Sequence, residues 1–220
     1  MHETVKNLLK IEENVKSNFS KDIKSLEFPK IIAVSKTFKI EHIEPLINHG
    51  HIDFGENKVQ EANEKWRQIK NENKNIKLHL IGRLQSNKVK IAVELFDYIH
   101  SLDSKKLADK IAEQQIEQNL KVKLFIQVNI GEEKQKSGIL KNEVYDFYQY
   151  CKSLDLNILG LMCIPPFNQN SSKYFSEMSN LGKKLQLKEL SMGMSNDYIN
   201  AIENNSTYIR VGSNIFGERN

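Results

Sequence analysis

The sequence predicts an α/β protein built as a (β/α)8 barrel of the TIM type. Three observations carry this. Eight short apolar runs recur along the 220 residues. Amphipathic stretches with helical spacing separate most of them. No G-x-G-x-x-G follows the first run, so the rival arrangement, an open doubly wound sheet, lacks its usual support. Strands that alternate with helices pair in parallel through right-handed crossovers, and a count of eight closes a barrel. A length of 220 is near the lower end for that fold and suits a single domain over residues 1–220.

The runs are 30–34, 52–55, 77–81, 98–102, 122–130, 158–162, 189–192 and 207–211. Each carries apolar residues and is short enough for a buried strand. A helix precedes the first run, with Val5, Leu8, Leu9 and Val15 on one face. In the stretch 40–48, Pro45 should start, kink or shorten a helix. Val59, Ala62, Trp66 and Ile69 share a helical face. So do Leu107, Ile111 and Ala112, then Val144, Phe147, Tyr148 and Cys151, then Tyr174, Met178, Leu181 and Leu185.

Composition narrows the function. The chain is 39% hydrophobic and 27% charged, ordinary usage for a soluble domain. No apolar run approaches the ~20 residues of a membrane span, and the N-terminus lacks the apolar core of a signal peptide. Two cysteines, Cys151 and Cys163, have no metal-ligand spacing, so a reduced cytoplasmic protein without a bound metal is expected. The net charge of +4 comes from lysines scattered over helices. With no basic block interleaved with aromatics, nucleic acid is not the expected partner; an anionic small molecule is. A monomer or weak dimer is expected, although no exposed apolar helix face stands out from the core faces to fix the oligomeric state. Among the histidines, His49-Gly50-His51 reads as a helix-to-strand turn with Gly50 just past the helix end, not as a metal pair.

A barrel places its chemistry at the C-terminal ends of its strands. Just past the first strand stands Lys36. Its stem packs in protein and its amine faces a pocket, and partial burial frees such an amine to attack a carbonyl. The plain alternative is a lysine that simply ends a strand. After the second strand, Asn57 can bond a ligand oxygen and Glu56 can pair with a lysine, or both only begin the next helix. In the eighth strand Arg210 interrupts an apolar run, which calls for a paired or ligand-facing guanidinium. Gly212 and Ser213 follow with an open backbone N–H and a hydroxyl, a set that suits phosphate. Ser195 either caps a helix begun at Asn196 or joins the same anion site. Met192 and Met194 pack on a flat ring or fill core gaps. Cys163 has no assignable histidine partner, so a cysteine nucleophile is not expected.

Ordered segments then carry a resemblance. They are Ala33-Val34-Ser35-Lys36-Thr37, Phe54-Gly55-Glu56-Asn57, His79-Leu80-Ile81-Gly82, Leu84-Gln85-Ser86-Asn87-Lys88, Lys136-Ser137-Gly138 and Gly160-Leu161-Met162. Leu190-Ser191-Met192-Gly193-Met194-Ser195, Ile209-Arg210-Val211-Gly212 and Phe216-Gly217-Glu218-Arg219 complete the set. In this order they resemble the pyridoxal phosphate homeostasis proteins over nearly the whole chain. The resemblance implies a barrel like the N-terminal domain of alanine racemase that holds pyridoxal 5′-phosphate (PLP). It implies an imine on Lys36, a phosphate held by Ser195, Gly212 and Ser213, and Arg210 facing the pyridine nitrogen. This chain departs from the family pattern at Ser213, where threonine is common, at Phe38, where lysine is frequent, and at Arg83, where proline or histidine is frequent. It assigns no role near the site to Lys39, Arg83 or Lys136.

The resemblance also implies a function in intracellular PLP homeostasis and delivery, with PLP-dependent apoenzymes as recipients. A racemase of this fold adds a second domain with a tyrosine base, and the chain ends at Asn220. A carrier rather than an enzyme is therefore expected. Two alternatives remain at this point: a minor racemase-like PLP enzyme, and an aldolase-type barrel that uses Lys36 on a phosphorylated sugar.

Overall fold

The computed structural model describes residues 1–19 and 28–217. Within them, eight parallel strands close into a barrel in chain order. They are β1 (Lys30–Val34), β2 (Asp53–Glu56), β3 (Lys77–Leu80), β4 (Tyr98–Leu102), β5 (Lys123–Val128), β6 (Ile158–Cys163), β7 (Glu189–Met194) and β8 (Tyr208–Val211). The helices are α1 (Glu3–Asn18), α2 (Ile40–Asn48), α3 (Val59–Glu72), α4 (Val89–Leu95), α5 (Lys105–Gln118), α6 (Val144–Ser153), α7 (Ser171–Leu185), α8 (Tyr198–Glu203) and α9 (Ser213–Phe216). Glu218 and Arg219, part of the last motif, lie outside the described residues.

All eight expected strands are present, and their ends differ from expectation in ways that matter. β2 runs through Glu56, and α3 starts only at Val59, so Glu56 and Asn57 do not begin the helix. β7 runs on to Met194 and α8 starts at Tyr198. α2 passes through Pro45 instead of starting there; Ile43 and Leu46 are fully buried on its inner face, and the helix is only nine residues long. Burial of that face offsets the hydrogen bond a mid-helix proline removes. His49 ends α2 and Gly50 follows with φ +96°, the turn expected there.

α9 has four residues, too few for the eighth outer helix. α1 fills that position, packed against α2, α8 and α9. Asn7 Nδ2 donates to the Ile215 carbonyl at 3.1 Å, and Asn14 Nδ2 to the Tyr198 hydroxyl at 3.1 Å. The N-terminal helix therefore braces the loops that follow β7 and β8.

Alternation along each strand makes two cores. Phe54, Leu78, Ile99, Leu124 and Leu161 point outward and join helix residues such as Leu46, Trp66 and Phe175. Ile32, Val34, Tyr98, Phe125, Met162 and Tyr208 fill the barrel interior. At the N-terminal end of the barrel, Lys30 Nζ donates to the Tyr208 hydroxyl at 3.1 Å and Lys123 Nζ to the Tyr98 hydroxyl at 3.2 Å. The interior is thus a packed core plugged at that end, open only at the strands' C-terminal ends.

Gly82, just past β3, shows how closely the loops at the open end are packed. A Cβ there would lie 2.3 Å from the Asn57 carbonyl oxygen. Gly82→Ala should lower the urea midpoint, costing about 1–3 kcal/mol through overpacking against backbone. Fluorescence of buried Trp66, the only tryptophan, reports the transition.

Candidate cofactor site

β1 ends at Val34, and residues 35–37 turn at the mouth of the barrel, with Thr37 at φ +68°. A polar cluster beneath holds the turn. Buried Glu56 Oε1 accepts from Ser35 Oγ at 2.7 Å, from Trp66 Nε1 at 2.9 Å and from Lys65 Nζ at 3.0 Å. Lys65 also donates to the Ser35 carbonyl at 2.9 Å and to Glu61 Oε1 at 3.2 Å; Glu61 Oε1 in turn accepts from Thr37 N at 2.5 Å. Two carboxylates and an ammonium, all charged partners, tie α3 to both sides of Lys36. Phe38 stacks on Phe216, ring centroids 5.0 Å apart, which joins the same loop to the segment after β8. An aromatic contact thus occupies the position where a lysine is frequent in the resemblance.

Lys36 is half-buried and lines a cavity of about 830 Å³ at the open end of the barrel. That volume suits a cofactor-sized ligand. Asn57, Ser195, Arg210, Gly212 and Ser213 line the same cavity, so every site residue expected from sequence converges on it. Arg83 and Lys136 line it too. Lys136 is engaged, with Nζ 2.6 Å from Glu133 Oε2 and 3.1 Å from the Pro165 carbonyl. The two methionines divide: Met192 is core, whereas Met194 is exposed at the cavity.

Ser195 does not cap a helix. Asp197 stands at the start of α8, and its Oδ1 accepts from Met194 N at 2.7 Å. Ser195 Oγ instead accepts from Gly212 N at 3.3 Å, and its carbonyl accepts from Asn214 Nδ2 at 2.9 Å. The loops after β7 and β8 are thereby fastened together. The Ser195 and Ser213 hydroxyls gather at one rim of the cavity beside Gly212, whose N–H donates to Ser195 Oγ, and hydroxyl donors so placed fit a phosphate.

Arg210 is both paired and cavity-facing. It is only 4% exposed; Nη1 donates to Ser191 Oγ at 2.7 Å and Nη2 to the Cys163 carbonyl at 2.9 Å. Burial lowers the guanidinium below its ordinary value, yet an arginine remains charged. Cys163 is buried beside it, and burial pushes its thiol up to about 12, so it offers no thiolate.

Two residues behind Arg210 stand outside the set expected from sequence. His100 Nδ1 lies 2.8 Å from Ser191 Oγ, and His100 Nε2 lies 3.0 Å from His79 Nδ1. His79 Nε2 lies 2.9 Å from Asp53 Oδ1. Neither histidine sits in a motif with chemical spacing. The available signal was a titratable residue at an inward position of a strand flanked by apolar residues, as in Leu78-His79-Leu80. Burial pushes His79 below 6.5 despite the opposing pull of Asp53. Burial, then the neighbouring His79 and Arg210, pushes His100 well below 6.5. Burial works against ionised Asp53, but the His79 hydrogen bond holds it below 3.8.

A closed eight-stranded barrel with a lysine after β1, an arginine on β8 and a donor rim after β7 and β8 defines a class. A family model described as "Alanine racemase, N-terminal domain" matches residues 10–220. The chain is 37% identical to the pyridoxal phosphate homeostasis protein of Pasteurella multocida, over 97% of this chain and 96% of that one. It therefore belongs to the family of pyridoxal phosphate homeostasis proteins. Among solved structures it is similar to PipY of Synechococcus elongatus without PLP, at TM-score 0.86 and 31% identity over 98% of this chain and all (100%) of that one. PipY with PLP bound matches at TM-score 0.80 and 32% identity, over 92% of this chain and 100% of that one.

Two buried neutral histidines make stability depend on pH. The unfolded chain protonates them near 6.5, whereas the folded chain resists until lower pH. The unfolded state then binds more protons, so stability is full above 6.5 and falls as pH drops below about 6.5. Urea midpoints measured across that range check this, and His100→Phe should flatten the dependence.

Proposed function

We propose that the protein holds PLP in this cavity and serves intracellular PLP homeostasis by keeping the cofactor and delivering it to PLP-dependent apoenzymes. The convergence of the Lys36 amine, the Ser195–Gly212–Ser213 donors and the buried Arg210 cation on one cavity carries this reading. Bound PLP supplies an aldehyde that joins a primary amine reversibly and a phosphate that needs donors. Lys36 provides the tether. Ser195, Gly212 and Ser213 hold the phosphate whether or not the tether is intact, and Asn57 offers an amide to a ring oxygen.

Arg210 sets the chemistry. A permanent cation set against the ring nitrogen would oppose its protonation, and an unprotonated ring would be a weak electron sink. Among the described residues lining the cavity there is no tyrosine or histidine, and the carboxylate of Asp197 is engaged with Met194 N. These features favour holding over racemisation. Relatives named for homeostasis, and a structural neighbour that binds PLP, support the same reading.

Among the described residues no helix is long and apolar enough to cross a membrane. Both cysteines are free and buried, which suits a reducing compartment such as the cytoplasm. We read the protein as a single barrel domain acting as a monomer or weak dimer.

The purified protein should absorb in the visible, and Lys36→Ala should abolish that absorbance while PLP still binds through its phosphate. A wild-type protein that stays colourless with micromolar PLP overturns the reading. Exchange of an amino acid's α-proton on the loaded protein should be no faster than with free PLP.

A further inference from the structure

Arg210 is a buried cation; among the described residues no carboxylate lies within ion-pairing distance of it, and the carboxylate that acts on it through space is Asp197 at the same cavity. Such a charge needs compensation. The hydrogen bonds behind it lead across the barrel. Arg210 on β8 meets Ser191 on β7, Ser191 meets His100 on β4 through the barrel interior, His100 meets His79 on β3, and His79 meets Asp53 at the start of β2. The chain runs from the cavity to the opposite end of the barrel.

Its direction is determined from both ends. An arginine only donates, so Ser191 Oγ accepts from Nη1 and its single proton goes to His100 Nδ1. That nitrogen then accepts, which leaves the proton of neutral His100 on Nε2, donated to His79 Nδ1. His79 in turn carries its proton on Nε2 and donates it to Asp53. From the other end, an ionised carboxylate only accepts, which demands the same order. The reverse order would face a bare ring nitrogen toward the Asp53 carboxylate and leave the Ser191 proton without an acceptor. Stacking holds both rings in place: His100 lies on Phe125 and His79 on Tyr98, with centroids 4.3 Å apart in each pair.

We infer that Asp53, His79, His100 and Ser191 are positioning residues for Arg210, forming a one-way hydrogen-bonded chain that fixes the guanidinium at the cavity and anchors it to a carboxylate at the far end of the barrel. Aligned hydrogen bonds polarise and strengthen one another, so the order set at Asp53 holds each link up to Arg210. Its consequence for a cofactor rests on the PLP reading: the ring end of PLP should sense the chain, while the Lys36 tether and the phosphate donors should not.

Nitrogen NMR of the full chain with labelled histidine tests this without any cofactor. Both rings should be neutral at pH 7, with Nε2 protonated and Nδ1 bare. A charged ring, or a proton on either Nδ1, overturns the inference. The second readout is PLP binding by His100→Phe, which keeps the ring stack and removes both nitrogens. Binding should weaken about tenfold, the loss expected for one hydrogen bond to a charged group. The visible absorbance should shift, and borohydride should still trap the cofactor on Lys36. If that variant does not fold, Ser191→Ala cuts the chain by removing only a hydroxyl and is read the same way. A folded variant with wild-type affinity and spectrum overturns the inference. Should the wild-type protein take up no PLP, the cofactor reading fails and the histidine tautomers alone decide the chain.

Discussion

Four residue pairs, from Lys30–Tyr208 to Ala33–Val211, join the first strand to the last and close the sheet on itself. Ile32 lies beside Arg210 in that register, so the lysine that follows β1 is brought to the glycine and serine that follow β8. Residues some 175 positions apart in the chain thereby share one cavity. Without closure, Lys36 and Ser213 would sit at opposite edges of a sheet, each with unpaired backbone groups. Closure also determines which strands face each other across the interior, and so allows His100 on β4 to reach Ser191 on β7.

Around that frame, the two ends of the barrel have different physics. The N-terminal end is plugged by lysines set against tyrosine hydroxyls and rings. The C-terminal end carries the donors and the cavity. Between them the interior is not uniformly apolar: a polar chain threads between Ile32, Phe125 and Met162. Buried polar groups are tolerated when satisfied, and Ser191, His100 and His79 each have a partner on either side. Lys36 is supported differently, by Glu56, Glu61 and Lys65, which hold the turn on both sides of it. Lys36 and Arg210 thus rest on separate scaffolds, so one can be altered while the other stays in place.

Much of this was legible in the sequence because it is local. Apolar runs and helical spacing depend on residues a few positions apart, so strand count, helix faces and the glycine turn at Gly50 could be read directly. Lys36, Asn57, Ser195, Arg210, Gly212 and Ser213 stand at strand ends, where a barrel gathers its chemistry, and all six line the cavity. Strand limits were less legible. Glu56 looks like the start of a helix because a carboxylate is rarely a buried strand residue; only Lys65, Trp66 and Ser35 make that position tolerable. Ser195 looks like a cap because serine before Asn-Asp commonly is one, yet Gly212, seventeen positions on, takes its hydroxyl.

The amino-acid sequence by itself determined the alternation of strands and helices, the closing count of eight, and which polar residues end the strands. These follow from periodicity and short-range sterics. Tertiary structure alone decided that Arg210 is satisfied through Ser191, that His79 and His100 connect it to Asp53, that Phe38 packs on Phe216, and that α1 completes the ring of helices. Each of these joins residues distant in the chain, and their pairing is set by barrel closure and strand register, which no local pattern encodes.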